Sequence, residues 1–169
     1  MKNNIVLIGM MGAGKSTIGL ELAKILNSFK LVDMDSEIEK RENMKISEIF
    51  KKYGEKYFRN YETDLIKELC QNENQIISTG GGVFEKEENR KILKENGKVF
   101  YLKASPEKLF ERIKSQTHRP LLQQGFGIEK VKTILESREK NYEQAHFIID
   151  TENELPYNIV KRIAEKGNL

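Results

Sequence analysis

Eight residues near the N-terminus have the types and spacing of a phosphate-binding loop. Gly9-Met10-Met11-Gly12-Ala13-Gly14-Lys15-Ser16 matches G-x-x-x-x-G-K-[ST], between an apolar run and an amphipathic segment. In such a loop, backbone N–H groups and the dipole of the following helix attract anionic oxygens, a lysine reaches the β- and γ-phosphates, and a serine binds Mg²⁺. The sequence therefore predicts a nucleoside triphosphate site that contains Gly12, Ala13, Gly14, Lys15, Ser16 and Thr17.

Two carboxylates, Asp33 and Asp35, follow the next apolar run. They alternate at the end of a predicted strand, so we expect both to project to one face, at the edge of a parallel sheet where ligands bind. One could hold Mg²⁺ through water while the other contacts an acceptor hydroxyl. The alternative is that Asp35 or Ser36 only caps the next helix, because Ser36-Glu37-Ile38-Glu39 is a capping-box pattern.

Three arginines are candidates for binding an anion. Arg138 lies on the apolar stripe of a predicted helix, where an unpaired charge would be costly, so its partner is either a structural carboxylate or a ligand. The same two partners, a structural carboxylate or a ligand, are possible for Arg59, which follows the apolar Phe58. Arg119 lies in an irregular stretch, where it is either a solvated surface residue or, beside a phosphate-binding loop, a group that neutralises a transferring phosphoryl group.

Three consecutive glycines, Gly80, Gly81 and Gly82, follow the apolar run at 75–78. Glycine loses more conformational entropy on folding than any other residue, so a triplet needs a reason. A tight strand-to-helix turn would need one or two glycines. The other interpretation is that a ligand approaches the bare backbone closely and accepts hydrogen bonds from its N–H groups.

Elements that could position these residues alternate along the chain. Strand candidates are 5–8, 29–33, 75–78, 99–102 and 147–149, and the clearest helical patterns are 15–26, 58–69, 86–95, 106–114, 128–142 and 156–165. Nearly continuous apolar strands between helices are typical of a parallel sheet that is covered on both faces. We therefore expect an α/β fold in a single domain, residues 1–169.

The composition limits the class of protein. With 38% hydrophobic and 33% charged residues, the chain of 169 residues is typical of a globular domain rather than a disordered or membrane-spanning one. A net charge of +3 does not favour nucleic acid as the partner. A single cysteine, Cys70, fits a reducing compartment, so we expect the cytoplasm. Without a guanine-reading Asn-Lys-x-Asp segment, ATP is favoured over GTP, and the size suits a small kinase.

Taken together, the motifs resemble the shikimate kinase family. They occur in the family's order over nearly the whole chain: GMMGAGKST at 9–17, LVDMDSEIE at 31–39, FRNYE at 58–62, STGGG at 78–82, RPLL at 119–122 and SREKNY at 137–142. The resemblance implies a three-layer P-loop kinase fold with a five-stranded parallel sheet of order 2-3-1-4-5. It also implies a substrate-binding helical region at about 34–62 and a short lid at about 115–127.

The resemblance assigns roles to the candidate residues. Lys15 and Ser16 would bind ATP and Mg²⁺, with Asp33 assisting the metal through water, and Arg119 of the lid would reach the phosphates. Arg112 and the segment 150–156 would line the adenine. The implied shikimate pocket consists of Asp35, Arg59, Gly80, Gly81, Gly82 and Arg138.

The implied reaction is in-line transfer of the ATP γ-phosphoryl group to the 3-hydroxyl of shikimate. Asp35 would orient that hydroxyl and take its proton late, while Lys15, Mg²⁺ and Arg119 neutralise charge. The size and the resemblance favour a monomer. Two other functions stay open at this point: a P-loop kinase for gluconate or a nucleoside monophosphate, and a non-catalytic nucleotide sensor that controls a protein partner.

Overall fold

The computed structural model describes residues 2–114 and 127–169. Its five strands form one parallel sheet in the order β2-β3-β1-β4-β5. The strands are β1 Ile5–Ile8, β2 Lys30–Asp33, β3 Gln75–Ser78, β4 Lys98–Lys103 and β5 Phe147–Asp150. Both the five strands expected from the sequence and the order 2-3-1-4-5 implied by the family resemblance are confirmed.

Seven α-helices and one 3₁₀ turn, Val83–Glu85, connect the strands in the described part of the chain. The helices are α1 Lys15–Ile25, α2 Met34–Glu42, α3 Ile46–Leu69, α4 Glu87–Asn96, α5 Pro106–Lys114, α6 Ile128–Tyr142 and α7 Pro156–Gly167. The sequence pattern shows only the second half of α3, from Phe58, because α3 is kinked at Gly54, where φ is 81° and ψ is 168°. None of these helices is both long and apolar enough to cross a membrane.

The central strands are buried along their whole length. All four residues of β1 are at most 1% exposed, and neighbouring residues of a strand point to opposite faces, so helices must cover the sheet on both sides. Around this sheet α1 packs against α7, α3 against α4, and α5 against α6. This is the three-layer α/β arrangement expected from the sequence.

The strand register brings the candidate site residues to one edge of the sheet. Asp33 at the end of β2 is level with Ser78 at the end of β3, and Ser78 is level with Leu7, one residue before the end of β1. The loop at 9–14, the first turn of α2 and the turn at 79–82 therefore start from neighbouring positions. This edge, at the carboxyl ends of the strands, is where parallel α/β sheets bind ligands.

Candidate active site

A cleft of about 1810 Å³ runs along the carboxyl edge of the sheet. One end is formed by the loop before α1 together with Arg112 and the segment after β5. The other end is formed by α2, α3, the glycine turn and α6. All described candidate residues line it: Gly12, Ala13, Gly14, Lys15, Ser16, Thr17, Asp33, Asp35, Arg59, Gly80, Gly81, Gly82, Arg112 and Arg138. The predicted lid residues 115–126, including Arg119, lie outside the described residues.

The N-terminus of α1 is open to an anion. Its N-cap, Gly14, has no side chain, and the first turn carries no acidic residue that would occupy the backbone N–H groups. Nζ of Lys15 lies over the loop and donates to the carbonyl oxygens of Gly9 at 2.8 Å and Met10 at 3.1 Å. Backbone donors, a helix dipole and a lysine are thus gathered in one stretch of the chain, as phosphate binding requires.

Asp33 joins the loop, the sheet and α2. Its Oδ2 accepts from the hydroxyl of Ser16 at 2.7 Å and from that of Ser78 at 3.1 Å, while its Oδ1 accepts from the backbone N–H of Ser36 at 3.1 Å. The alternative that Asp35 or Ser36 caps the helix is therefore wrong. Asp33 is the N-cap of α2, because it still has extended backbone angles and its carboxylate accepts from the backbone N–H of Ser36 in the first turn.

The side chains of Ser16 and Asp33 suit a magnesium ion. Mg²⁺ takes hydroxyl and carboxylate oxygens, usually one or two from the protein, and keeps several waters. In residues 2–114 and 127–169, no three His, Cys, Asp or Glu side chains gather into a cluster of metal ligands. A site for Mg²⁺ would thus need the phosphate oxygens of a nucleotide as well.

Asp35 lines the cleft, but it lies in a different element from the one that the sequence predicts. It is not part of β2 but lies in the first turn of α2, so the expected alternation with Asp33 along one strand is wrong. The helix begins at Met34, directly after the strand, because Asp33 caps it. Asp35 nevertheless lies beside the glycine turn: its Oδ1 is 2.8 Å from the point where a Cβ on Gly80 would stand.

The first and third glycines leave space for neighbouring side chains, and no glycine of the triplet is needed for its backbone conformation. None of them has a positive φ angle. A Cβ on Gly82 would lie 2.5 Å from Nη1 of Arg59, and one on Gly80 would lie 2.9 Å from Oε1 of Glu62. A contact below 3.0 Å requires one of the two groups to move, so a Cβ on the first or third glycine would displace the ends of these charged side chains. A Cβ on Gly81 would meet nothing closer than Nη1 of Arg138, at 3.6 Å.

Arg59 is fixed by a network of charges and rings on α3. Its Nη1 donates to Oε2 of Glu62 at 2.8 Å and its Nη2 to Oε1 of Glu55 at 3.1 Å. The guanidinium also lies 5.5 Å from the ring centroid of Phe58 and 5.9 Å from that of Phe50. Contacts of this kind orient a planar cation, so Arg59 presents one defined face to the cleft.

Glu62 was missed as a site residue by the sequence reasoning. It is 1% exposed, and burial raises the pKa of its carboxyl to about 7, although the neighbouring charge of Arg59 acts in the opposite direction. The signal that could have found it is the spacing of Arg59 and Glu62, three residues apart on one helix, which lets oppositely charged side chains meet.

Arg138 is half-buried on α6, next to the glycine turn and Tyr142. Within the described part of the chain, no ion pair joins it to a carboxylate, so the structural partner left open by the sequence is not found there. The apolar stripe that predicted its position is confirmed, since Val131, Leu135 and Tyr142 are buried. The pocket therefore contains a second guanidinium that is available to an anionic ligand.

At the other end of the cleft, Arg112 connects α5 to the segment after β5. Its Nη2 donates to the carbonyl of Thr151 at 2.7 Å, and its Nη1 lies 3.3 Å from the hydroxyl of Thr151. Nη1 also lies 3.5 Å from the carbonyl of Gly12, at the limit of a hydrogen bond. Arg112 thus lies between the phosphate-binding loop and the segment 150–156, in the place predicted for the adenine end.

Comparisons with known proteins agree with this geometry. The family model for shikimate kinase matches residues 11–167. A shikimate kinase from Thermodesulfovibrio yellowstonii is 47% identical over 163 residues, which cover 96% of this chain and 94% of that protein. One from Bacillus anthracis is 44% identical over 165 residues, 98% of each chain. A solved shikimate kinase from Acinetobacter baumannii, in complex with shikimate, has a TM-score of 0.91 and 35% identity, covering 98% of this chain and 93% of that one.

Proposed function

The chain belongs to the shikimate kinase family, and from this premise we propose how its cleft carries out the reaction. The enzyme transfers the γ-phosphoryl group of ATP to the 3-hydroxyl of shikimate, giving ADP and shikimate 3-phosphate in the route to aromatic amino acids. The observation that supports the residue roles best is the composition of the cleft. It joins a helix N-terminus suited to an anion to a pocket that contains two guanidinium groups and the carboxylate of Asp35.

At the nucleotide end, the phosphates of ATP bind to the loop at 9–16 and the N-terminus of α1. Lys15 exchanges its contacts with the carbonyls of Gly9 and Met10 for oxygens of the β- and γ-phosphates. The adenine lies beyond, towards Arg112 and Thr151. Of the loop residues, Gly12, Ala13, Gly14, Ser16 and Thr17 supply the remaining contacts to the phosphates.

Mg²⁺ belongs between Ser16 and Asp33. Ser16 would hold the ion through its hydroxyl and Asp33 would hold it through water, since the carboxylate of Asp33 already accepts hydrogen bonds from Ser16, Ser78 and Ser36. When bound, the ion neutralises charge on the β- and γ-phosphate oxygens. Asp33 keeps its role as the cap of α2 and so ties the metal site to the acceptor pocket.

At the acceptor end, shikimate presents a carboxylate and three hydroxyls. Arg59 and Arg138 bind the carboxylate, since guanidinium groups donate two parallel hydrogen bonds to it and each charge-assisted bond contributes roughly 1.5–3 kcal/mol. The N–H groups of Gly81 and Gly82 donate to the ring oxygens. The substrate ring lies against Gly81, where the glycine turn leaves the most space among its three residues.

The transfer step breaks the bond between the γ-phosphorus and the bridging oxygen of ATP and forms a bond to the 3-oxygen of shikimate. Asp35 accepts a hydrogen bond from the attacking hydroxyl and takes its proton late, because a loose transition state needs little deprotonation. Lys15 neutralises charge on the transferring group. Arg119 does so from the lid at 115–127, a role that is a prediction from the sequence because residues 115–126 lie outside the described ones.

The release of ADP tests this function directly. The enzyme is incubated with Mg-ATP and, in separate reactions, with shikimate, gluconate or AMP. We expect strong stimulation by shikimate and none by the other two. Stimulation by gluconate or AMP alone would keep the nucleotide site and reject the roles of Arg59, Arg138 and the glycine turn. Turnover that does not respond to any of the three would favour a nucleotide sensor.

Three further predictions accompany this function. The protein is a monomer, it acts in the cytoplasm, and residues 1–169 form one domain whose region 34–62 carries the acceptor site. Sedimentation of the purified enzyme at increasing concentration tests the first of these, since a constant mass of 19.6 kDa is expected.

A further inference from the structure

The carbonyl oxygens of the turn that follows β3 are held by side chains from a neighbouring helix. Nδ2 of Asn89, in α4, donates to the carbonyl of Val83 at 3.0 Å. Nη1 of Arg90 donates to the next two carbonyls, those of Phe84 and Glu85, at 2.8 and 2.7 Å. The second half of the turn is thus fixed by α4, and these bonds do not reach the glycine residues themselves.

A tyrosine from the opposite side holds the glycine part of the turn. The hydroxyl of Tyr142, at the end of α6, donates to the carbonyl of Gly81. Tyr142 is 1% exposed, and burial raises the pKa of its hydroxyl to about 12, although the nearby charge of Arg138 acts in the opposite direction. The hydroxyl therefore keeps its proton at neutral pH and acts as the donor in this bond.

Holding this carbonyl also fixes an N–H group. The carbonyl of Gly81 and the N–H of Gly82 belong to one planar trans peptide unit and point in opposite directions. A peptide unit with glycine on both sides rotates at little steric cost, so that the orientation of this unit is not set by the chain alone. The hydrogen bond from Tyr142 sets it, and the N–H of Gly82 then points away from α6.

We propose that Tyr142 is a positioning residue for shikimate: its hydroxyl orients the Gly81–Gly82 peptide so that the N–H of Gly82 donates to the substrate. Arg138 lies one turn before Tyr142 on the same face of α6, so a single stretch of helix sets both the guanidinium and the peptide that meet the ligand. This inference rests on the proposed function, because it assigns a contact within the shikimate pocket.

The chain offers a closely matched control. Tyr101 of β4 is also 1% exposed, and its ring centroid lies 5.1 Å from that of Tyr142. Within the described residues its hydroxyl has no hydrogen-bond partner. Tyr101→Phe and Tyr142→Phe therefore each remove one buried hydroxyl from neighbouring rings, but only the second removes a hydrogen bond to the glycine turn, together with the contact between its hydroxyl and Arg138.

The experiment compares the wild type, Y142F and Y101F by steady-state kinetics, by calorimetric titration with shikimate and by thermal unfolding. We expect Y142F to raise the KM and Kd for shikimate about threefold to tenfold, the range of one net hydrogen bond, with the KM for ATP unchanged. Y101F should match the wild type in all three constants. Equal constants in Y142F and Y101F, or a parallel rise of both KM values in Y142F, would overturn the inference.

A measurement on the wild type keeps the test independent of how the variants fold. In protein labelled with ¹⁵N-glycine, the amide resonance of Gly82 should shift on addition of shikimate, as expected for a group that donates to the ligand. An unchanged Gly82 resonance at saturation would contradict the proposed contact. If wild-type turnover does not respond to shikimate, the proposed function itself fails; if it responds while Y142F behaves as Y101F does, only the role of Tyr142 fails.

Discussion

The two ends of the cleft are built in different ways. At the nucleotide end, one contiguous stretch, 9–16, supplies backbone N–H groups, a helix terminus and a lysine. At the acceptor end, the groups are side chains from three helices and the backbone of a turn, and a methyl group at Gly80 or Gly82 would force the ends of these side chains to move. An anion site of the first kind is specified locally, whereas one of the second kind exists only when distant elements pack correctly.

The difference also concerns charge. At the nucleotide end, Nζ of Lys15 contacts neutral carbonyl oxygens. At the acceptor end, Arg59 contacts two carboxylates, of which Glu55 is 66% exposed at its side chain and Glu62 is 1% exposed. Fixing a guanidinium between carboxylates lowers the entropic cost of ordering it when the substrate binds. We therefore expect substitutions at the acceptor end to change the constants for shikimate and leave those for ATP unchanged.

The largest effect should come from Asp35→Asn, which removes the proton acceptor and keeps the size of the side chain. General-base catalysis contributes about 10²- to 10⁴-fold to a rate, so we expect kcat to fall within that range, while the Kd for shikimate rises only modestly. Steady-state kinetics and calorimetry measure the two quantities. Asp64→Asn, the same change at an exposed position of α3, is the control. A kcat equal to that of the wild type would exclude Asp35 from the chemistry.

The next largest effect should come from Gly82→Ala. The new Cβ would lie 2.5 Å from Nη1 of Arg59 and would displace the guanidinium from the pocket. We expect the KM for shikimate to rise by about two orders of magnitude, the loss of one to two charge-assisted hydrogen bonds, with the KM for ATP within a factor of about two.

Gly81→Ala separates two explanations for the glycines, the packing of Arg59 in the pocket and the approach of the substrate to the backbone. Its Cβ would meet nothing closer than 3.6 Å in the described residues, so displacement of Arg59 is not expected. If both alanine variants lose shikimate affinity while the crystal structure of Gly82→Ala keeps Arg59 in place, the glycines serve the approach of the substrate rather than the packing of the pocket.

A smaller effect is expected for Arg138→Lys. An ammonium cannot donate two parallel hydrogen bonds to a carboxylate, so the KM for shikimate should rise about tenfold with little change in kcat. Arg41→Lys is the matched control, because Arg41 donates two bonds to Glu68 on the outer side of α2 and α3, at 2.6 and 2.7 Å. That variant should lose thermal stability and keep its KM. A pattern in which Arg138→Lys loses only stability would indicate a structural pairing for Arg138.

Much of this comparison could be predicted from the sequence, for a physical reason. The loop at 9–16 is a local motif. The strand at 5–8 is apolar throughout and the strand at 75–78 has two isoleucines at its centre, so both strands were identified with their correct ends. The position of Arg138 followed from the 3.6-residue period of α6. Interactions between elements could not be predicted from the sequence. The cap of α2 by Asp33 and the role of Glu62 depend on which side chains tertiary packing brings together.

The smallest effect on turnover is expected for Glu62→Gln, which instead changes how stability depends on pH. Burial raises the pKa of Glu62 from 4.5 to about 7 in the folded protein. The folded state therefore binds this proton more tightly than the unfolded state does, so the free energy of unfolding should fall as the pH rises from about 4.5 to about 7. The contribution is on the order of 3 kcal/mol across this window.

Denaturant titrations at a series of pH values between about 4 and 8 measure this contribution. In Glu62→Gln the uncharged amide cannot titrate, so the decline of the unfolding free energy over this window should be smaller than in the wild type by that amount. Glu55→Gln removes the exposed partner of the same arginine and should keep the wild-type decline. If Glu62→Gln and the wild type decline in parallel, the carboxylate is ionised throughout, and the pairing with Arg59 outweighs the cost of burying it.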